Sequence, residues 1–173
     1  MSITYGALHL FVGGEWIDAS ERETAPVINP ATRRELGRVP LATAADLDHA
    51  LIIAQRSFDV WRNTVPAERA RILKRSAELM RERAEYIATL VTLEEGKPLS
   101  ESRDEVLRAA EYFEWFAEEA RRIDGRVVPS NRRGVQQLVK KQAIGPVAAF
   151  TPWNFPAITP ARKLLQRWPQ AAA

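Results

Sequence analysis

Among its 173 residues the chain has no cysteine. That excludes disulfides, a thiolate nucleophile, and zinc or iron–sulfur centres held by sulfur. Histidine is almost as scarce. His9 and His49 are the only imidazoles, isolated from one another, and suggest no metal site. Long apolar runs are missing too: no stretch approaches the roughly 20 apolar residues needed to span a bilayer. The first residues lack the basic flank and apolar core of a secretory signal, so the cytoplasm is the expected compartment and no membrane partner is expected. No internal repeat or low-complexity segment precedes the final alanines.

What is present fits a globular domain of ordinary size, with 46% hydrophobic and 27% charged residues. The 25 basic and 22 acidic side chains leave a formal charge of only +3, and Glu and Arg are interleaved along helices. Such charges form solvated faces, and no nucleic-acid partner is expected.

Leu10-Phe11-Val12, Gly13-Gly14 and Glu15-Trp16-Ile17 read as a tight β-hairpin, because paired glycines supply the positive φ angles of its turn. Asn29-Pro30-Ala31-Thr32 is a second turn, followed by a short strand around Leu36 to Val39. Thr43 with Asp46 forms a capping box. The helix it opens carries a stripe of Leu47, Ala50, Leu51, Ala54 and Phe58. A second helix begins at Pro66, buries Leu73, Ala77, Met80, Ala84, Ile87 and Val91, and stops at Gly96-Lys97-Pro98. A third runs from Ser100 to Gly125. Its Tyr112, Phe113, Trp115 and Phe116 suit a packing core with a boundary tryptophan, or else a cofactor box.

Beyond Gly125 the pattern becomes that of a two-stranded ribbon. Val127 to Pro129 and Val135 to Gln142 flank the turn Ser130 to Gly134. Val147-Ala148-Ala149-Phe150 is short and wholly apolar, the pattern of a strand buried on both faces of a parallel sheet. Thr151-Pro152-Trp153-Asn154-Phe155-Pro156 then reads as a strand end, a turn displaying an asparagine amide, and a helix start. A polar group placed there is suited to stabilising a developing negative charge. The other role open to Asn154 is a helix cap.

These motifs carry a resemblance. Phe11-Val12-Gly13-Gly14-Glu15-Trp16, Val27-Ile28-Asn29-Pro30-Ala31-Thr32, Pro66-Ala67-Glu68-Arg69-Ala70, Glu94-Glu95-Gly96-Lys97-Pro98-Leu99, Tyr112 to Ala120, and Thr151 to Pro156 stand in one order with natural spacing. From about Phe11 to Leu164 the chain resembles the N-terminal part of the NAD(P)-dependent aldehyde dehydrogenases, in the version of the succinate-semialdehyde branch. The resemblance implies an α/β fold: β-hairpins, three long helices, an oligomerisation hairpin arm, and the first strand of an incomplete Rossmann-like sheet. It divides the chain into residues 1–126 (hairpins and helices), 127–143 (the arm, a route to a homo-oligomer), 144–164 (the sheet and oxyanion motif) and 165–173 (a tail unlike the family).

For chemistry, the resemblance implies oxidation of a small aldehyde, such as succinic semialdehyde, to its acid with NAD or NADP. A cysteine thiolate attacks, and hydride leaves to the nicotinamide. Asn154 aligns with the oxyanion-hole asparagine of such enzymes. Phe150, Thr151, Pro152 and Trp153 align with one wall of the cofactor cleft. Arg162 resembles the clamp for a substrate's distal carboxylate, the other reading being an exposed helix arginine.

The family's pyrophosphate-binding glycine turn, general-base glutamate and catalytic cysteine have no counterpart in this sequence, so the chain by itself is expected to be inactive. A non-catalytic interaction module or a pseudogene product are the other readings. After Leu164 the family typically continues Ala-Pro-Ala-Leu-Ala-Ala-Gly-Cys, where this chain reads Leu165-Gln166-Arg167-Trp168-Pro169-Gln170-Ala171-Ala172. Codons for the second run, shifted by one added base, encode the first. The expectation is a single-base deletion near codon 165, or a sequencing error in an intact gene, and resequencing tests both.

Overall fold

The chain is described by a computed structural model over residues 5–167. Two small antiparallel hairpins come first. β1 (Leu10–Val12) pairs with β2 (Glu15–Ile17), Leu10 opposite Ile17. The turn between them places Gly13 and Gly14 at φ 64° and 92°, angles that favour glycine. β3 (Thr24–Ile28) pairs with β4 (Glu35–Pro40) around a turn closed by Asn29, whose Oδ1 accepts from the N–H groups of Ala31 (2.9 Å) and Thr32 (3.1 Å).

Helices supply the core. α1 (Ala44–Asn63) opens on the expected capping box: Asp46 N–H donates to Thr43 Oγ1, and the Asp46 carboxylate accepts from Thr43 N–H at 2.7 Å. The expected second helix is two. α2 (Pro66–Glu82) and α3 (Ala84–Glu95) are separated at Arg83, which departs from helical geometry at φ −104° and ψ 11°. No proline or glycine marks the break. Its consequence is tertiary: Ala70 and Leu73 of α2 join one core cluster, while Ala84 and Ala88 of α3 join a second around Val106. The described chain therefore has four helices before the ribbon, where three were expected. Gly96 ends α3 at φ 90°, its N–H bonded to Thr92 O.

α4 (Leu99–Glu119) is the central helix, packing against α2, α3 and α5 (Ile158–Arg167). It runs antiparallel to α2, since Lys74 pairs with Glu118 and Arg81 with Glu114. The interface is built from alanines: Ala70 of α2 and Ala109 and Ala117 of α4 are fully buried around Leu73. Of the aromatic cluster, Tyr112, Phe113 and Phe116 pack on this core and Trp115 stays exposed.

β5 (Arg126–Pro129) and β6 (Gln136–Val139) form the expected ribbon, with Val127 and Leu138 exposed to solvent. The run Val147 to Phe150 departs from expectation. It forms no strand, and Phe150 is 85% exposed. A strand needs a neighbour to receive its backbone donors and acceptors, and no strand lies beside this run among the described residues. α5 continues to Arg167 and buries Leu165 completely. The remainder of the expected tail, residues 168–173, lies outside the described residues. Among those residues no helix is long and apolar enough to cross a membrane, and no group of His, Asp or Glu could hold a metal.

Candidate active site

The turn from Trp153 to Ala157 is exposed at its tip and anchored from beneath. Asn154 is exposed, and its side-chain amide makes no hydrogen bond among the described residues. Its backbone carbonyl is held instead, accepting from Lys97 Nζ at 3.0 Å. The same ammonium lies 4.3 Å from the centre of the Phe155 ring, a cation–π contact. It also pairs with Glu105 Oε2 at 2.6 Å.

Glu105 completes the arrangement. Its side chain is 2% exposed, and its other oxygen accepts from the N–H groups of Ala157 (2.7 Å) and Ile158 (3.1 Å) at the start of α5. A carboxylate there satisfies orphan helix donors and complements the positive end of the helix dipole. The helix-cap role open to Asn154 in the sequence is therefore filled by Glu105. Two oxygens with three donors make this buried charge fully partnered. Removing one member of such a pair costs about 3–5 kcal/mol, because it strands the other.

Sequence reasoning missed this pair. Lys97 enters the sequence reading only within a helix-stop signal and a family motif, with no role of its own, and Glu105 not at all. A signal was there: Glu105 sits on the buried stripe of α4 between Ser102 and Ala109, where a carboxylate requires a partner.

Phe150, Thr151, Pro152 and Trp153 precede Asn154 as an exposed stretch, with Phe150 85% and Trp153 71% accessible. Phe150 and Trp153, three positions apart, present exposed aromatic faces of a kind that stacks on flat rings. The described residues include no glycine-rich turn leading into a helix to hold a nucleotide's pyrophosphate, so they fit the group along one wall only.

Arg162 lies on α5 with its guanidinium 5.6 Å from the centre of the Tyr112 ring. It lines an open groove of about 550 Å³ with Arg108, Tyr112, Trp115, Phe155 and Thr159. None of Phe150 to Asn154 lines that groove. Asn154 thus adjoins Phe150 to Trp153 in the chain, while Arg162 shares its groove with Phe155 and not with those residues.

Against known proteins, the sequence profile of the aldehyde dehydrogenase family matches residues 16–167. The chain belongs to that family. It is 44% identical over 163 residues to 4-(hydroxymethyl)benzenesulfonate dehydrogenase TsaD1 of Comamonas testosteroni, covering 94% of this chain and 34% of that protein. It is also 44% identical over 152 residues to succinate-semialdehyde dehydrogenase [NADP(+)] GabD of Escherichia coli K12, covering 88% and 32%. The structure superposes on succinate-semialdehyde dehydrogenase from Burkholderia pseudomallei with a TM-score of 0.91 at 38% identity, covering 98% of this chain and 35% of that one. The chain spans about a third of the length of these relatives.

Proposed function

We propose that this chain supplies the oxyanion-stabilising segment and part of the substrate and cofactor walls of an enzyme oxidising an aldehyde with a distal anionic group, such as succinic semialdehyde. The observation that carries the reading is the Asn154 turn: an exposed side-chain amide, unbonded among the described residues, on a backbone held by a fully partnered buried ion pair. A donor fixed before reaction stabilises developing charge without reorganisation, and losing such a donor costs about 10²–10³-fold in kcat. Arg162 would hold the distal carboxylate or sulfonate, its plane steadied by Tyr112. Phe150, Thr151, Pro152 and Trp153 would line one side of an NAD or NADP site; when bound, that group accepts the hydride.

The same reading divides the chain at residues 126, 143 and 164, assigns it to the cytoplasm, and gives residues 127–143 a role in a homo-oligomer. The exposure of Val127 and Leu138 on an isolated ribbon supports the last of these.

Lacking a thiol, the 173-residue chain alone should reduce no NADP⁺ with succinic semialdehyde. A chimera of Escherichia coli GabD with residues 5–164 of this chain in place of its matching stretch should reduce it. Asn154→Ala in the chimera should then lower kcat about 10²–10³-fold. An unchanged kcat would overturn the oxyanion role.

A further inference from the structure

We infer that Lys97 and Glu105 are positioning residues for the Asn154 turn, a role that rests, for its effect on turnover, on the oxyanion reading above. Three geometrical facts converge. Lys97 Nζ donates to the Asn154 carbonyl at 3.0 Å, which fixes the peptide plane next to the amide-bearing side chain. Glu105 Oε1 takes the Ala157 and Ile158 N–H groups, which fixes the start of α5 three residues later. The 2.6 Å pair between the two side chains joins these anchor points into one unit.

The anchors reach the turn from outside. Lys97 lies 57 residues upstream of Asn154, in the bend between α3 and α4, and Glu105 lies on the central helix. The turn is thereby referenced to the most buried part of the molecule, although its own side chains are exposed. Direct capping by Asn154 would have turned its side-chain oxygen onto the helix N–H groups and fixed its rotamer there. With Glu105 as the acceptor, the Asn154 side chain stays exposed.

A general contribution to stability and a positioning role make different predictions for a double variant. Lys97→Met removes the donor to the Asn154 carbonyl and strands the Glu105 carboxylate. Lys97→Met combined with Glu105→Gln leaves no charge at position 105, Gln can still accept from Ala157 and Ile158, and the more exposed Glu95, 3.8 Å from the ammonium, keeps the Lys97 backbone N–H. The unfolding midpoint should therefore fall in the single variant and recover in the double. The turn should not recover, because the Asn154 carbonyl still lacks its donor.

Hydrogen exchange of the full chain, followed by mass spectrometry, reads this separation. Peptides covering residues 155–161, where the Thr159 and Ala161 N–H groups bond to carbonyls of the turn, should exchange about tenfold faster in both variants, while peptides of α2 in the double variant match the wild type. In the GabD chimera, both variants should lower kcat about 10–100-fold and leave KM for succinic semialdehyde within about twofold. Unchanged exchange in residues 155–161, or recovery of the turn together with the midpoint in the double variant, would overturn the inference. An unchanged kcat after Asn154→Ala would remove the oxyanion reading and its kinetic consequence, while the exchange result decides the positioning role by itself.

Discussion

α1 and α2 are amphipathic helices of 20 and 17 residues, adjacent in the chain, with opposite fates. α2 buries Arg69, Ala70, Leu73 and Ala77 against α4. α1 buries none of its residues; Leu47 is 59% and Leu51 64% exposed, where Leu73 is 0%. The difference lies in what is available to pack against. Both patterns specify a face. Among the described residues, however, only α2 finds a helix whose small side chains admit it. α1 touches β1, where its Ile53 lies against Gly13, and borders an apolar groove of about 360 Å³ with Val147 and Leu164.

The largest expected effect tests the packed side. Leu73→Ala should cost about 2–5 kcal/mol, since it deletes a fully buried side chain among alanines that cannot move in to fill the space. Denaturant unfolding followed by helical circular dichroism measures it. Leu51→Ala, at an equally apolar position of α1, should stay within about 0.5 kcal/mol. Equal losses would dissolve the contrast between the helices.

A smaller effect concerns what the uncovered side does in solution. Leu47, Leu51, Ile52, Phe150 and Trp153 expose apolar surface of a kind that drives association and dye binding. The purified chain should bind a hydrophobic fluorescent dye and self-associate. Leu51→Lys with Phe150→Ser should reduce both without lowering the unfolding midpoint. A monomer that binds no dye and melts in one sharp transition would show that this face is covered in a way the residue exposures do not describe.

The same contrast explains which features could be read in the sequence. Signals completed within a few residues were legible: Gly13-Gly14 in its turn, Thr43 with Asp46 at the start of α1, Gly96 at the end of α3, and the turn at Asn154 ahead of α5. The first three depend on backbone sterics or on a hydrogen bond to a near neighbour; the Asn154 turn is marked by its own residues but anchored from Lys97 and Glu105. Features set by distant contacts were not. The bend at Arg83 has no local breaker, and it shows only in the separate clusters that the residues on its two sides join. Val147 to Phe150 has the composition of a buried strand, yet composition cannot supply the neighbour. In the site, Asn154 and Arg162 were named from their motif. Lys97 and Glu105 were missed because their partners stand 57, 52 and 53 residues away.

The smallest expected effect sharpens the comparison at the start of α1, where local chemistry stands in for packing. Asp46 accepts from Arg22 Nη1 at 2.6 Å and Nη2 at 3.1 Å, and from Thr43 N–H and Oγ1. The Arg22 guanidinium, followed by the Thr43 hydroxyl and N–H, holds this carboxyl well below the usual aspartate range. A carboxylate with a depressed value in the folded state stabilises that state above its unfolded value, near pH 4. The contribution is lost progressively as pH falls through the folded value. The α2–α4 contact has carboxylates lowered in the same way, Glu114 by Arg81 and Glu118 by Lys74, but these are solvent-screened pairs at the rim of a contact held mainly by apolar burial. Acidification below about pH 4 should therefore open the first turn of α1 before the core. Protection factors for residues 44–50, corrected for the intrinsic pH dependence of exchange, should fall across that window while those around Leu73 hold. Asp46→Asn should lower protection at neutral pH and flatten its response to acid. If protection in this turn were indifferent to pH in the native chain, α1 would owe its start to packing after all, and its contrast with α2 would be one of degree.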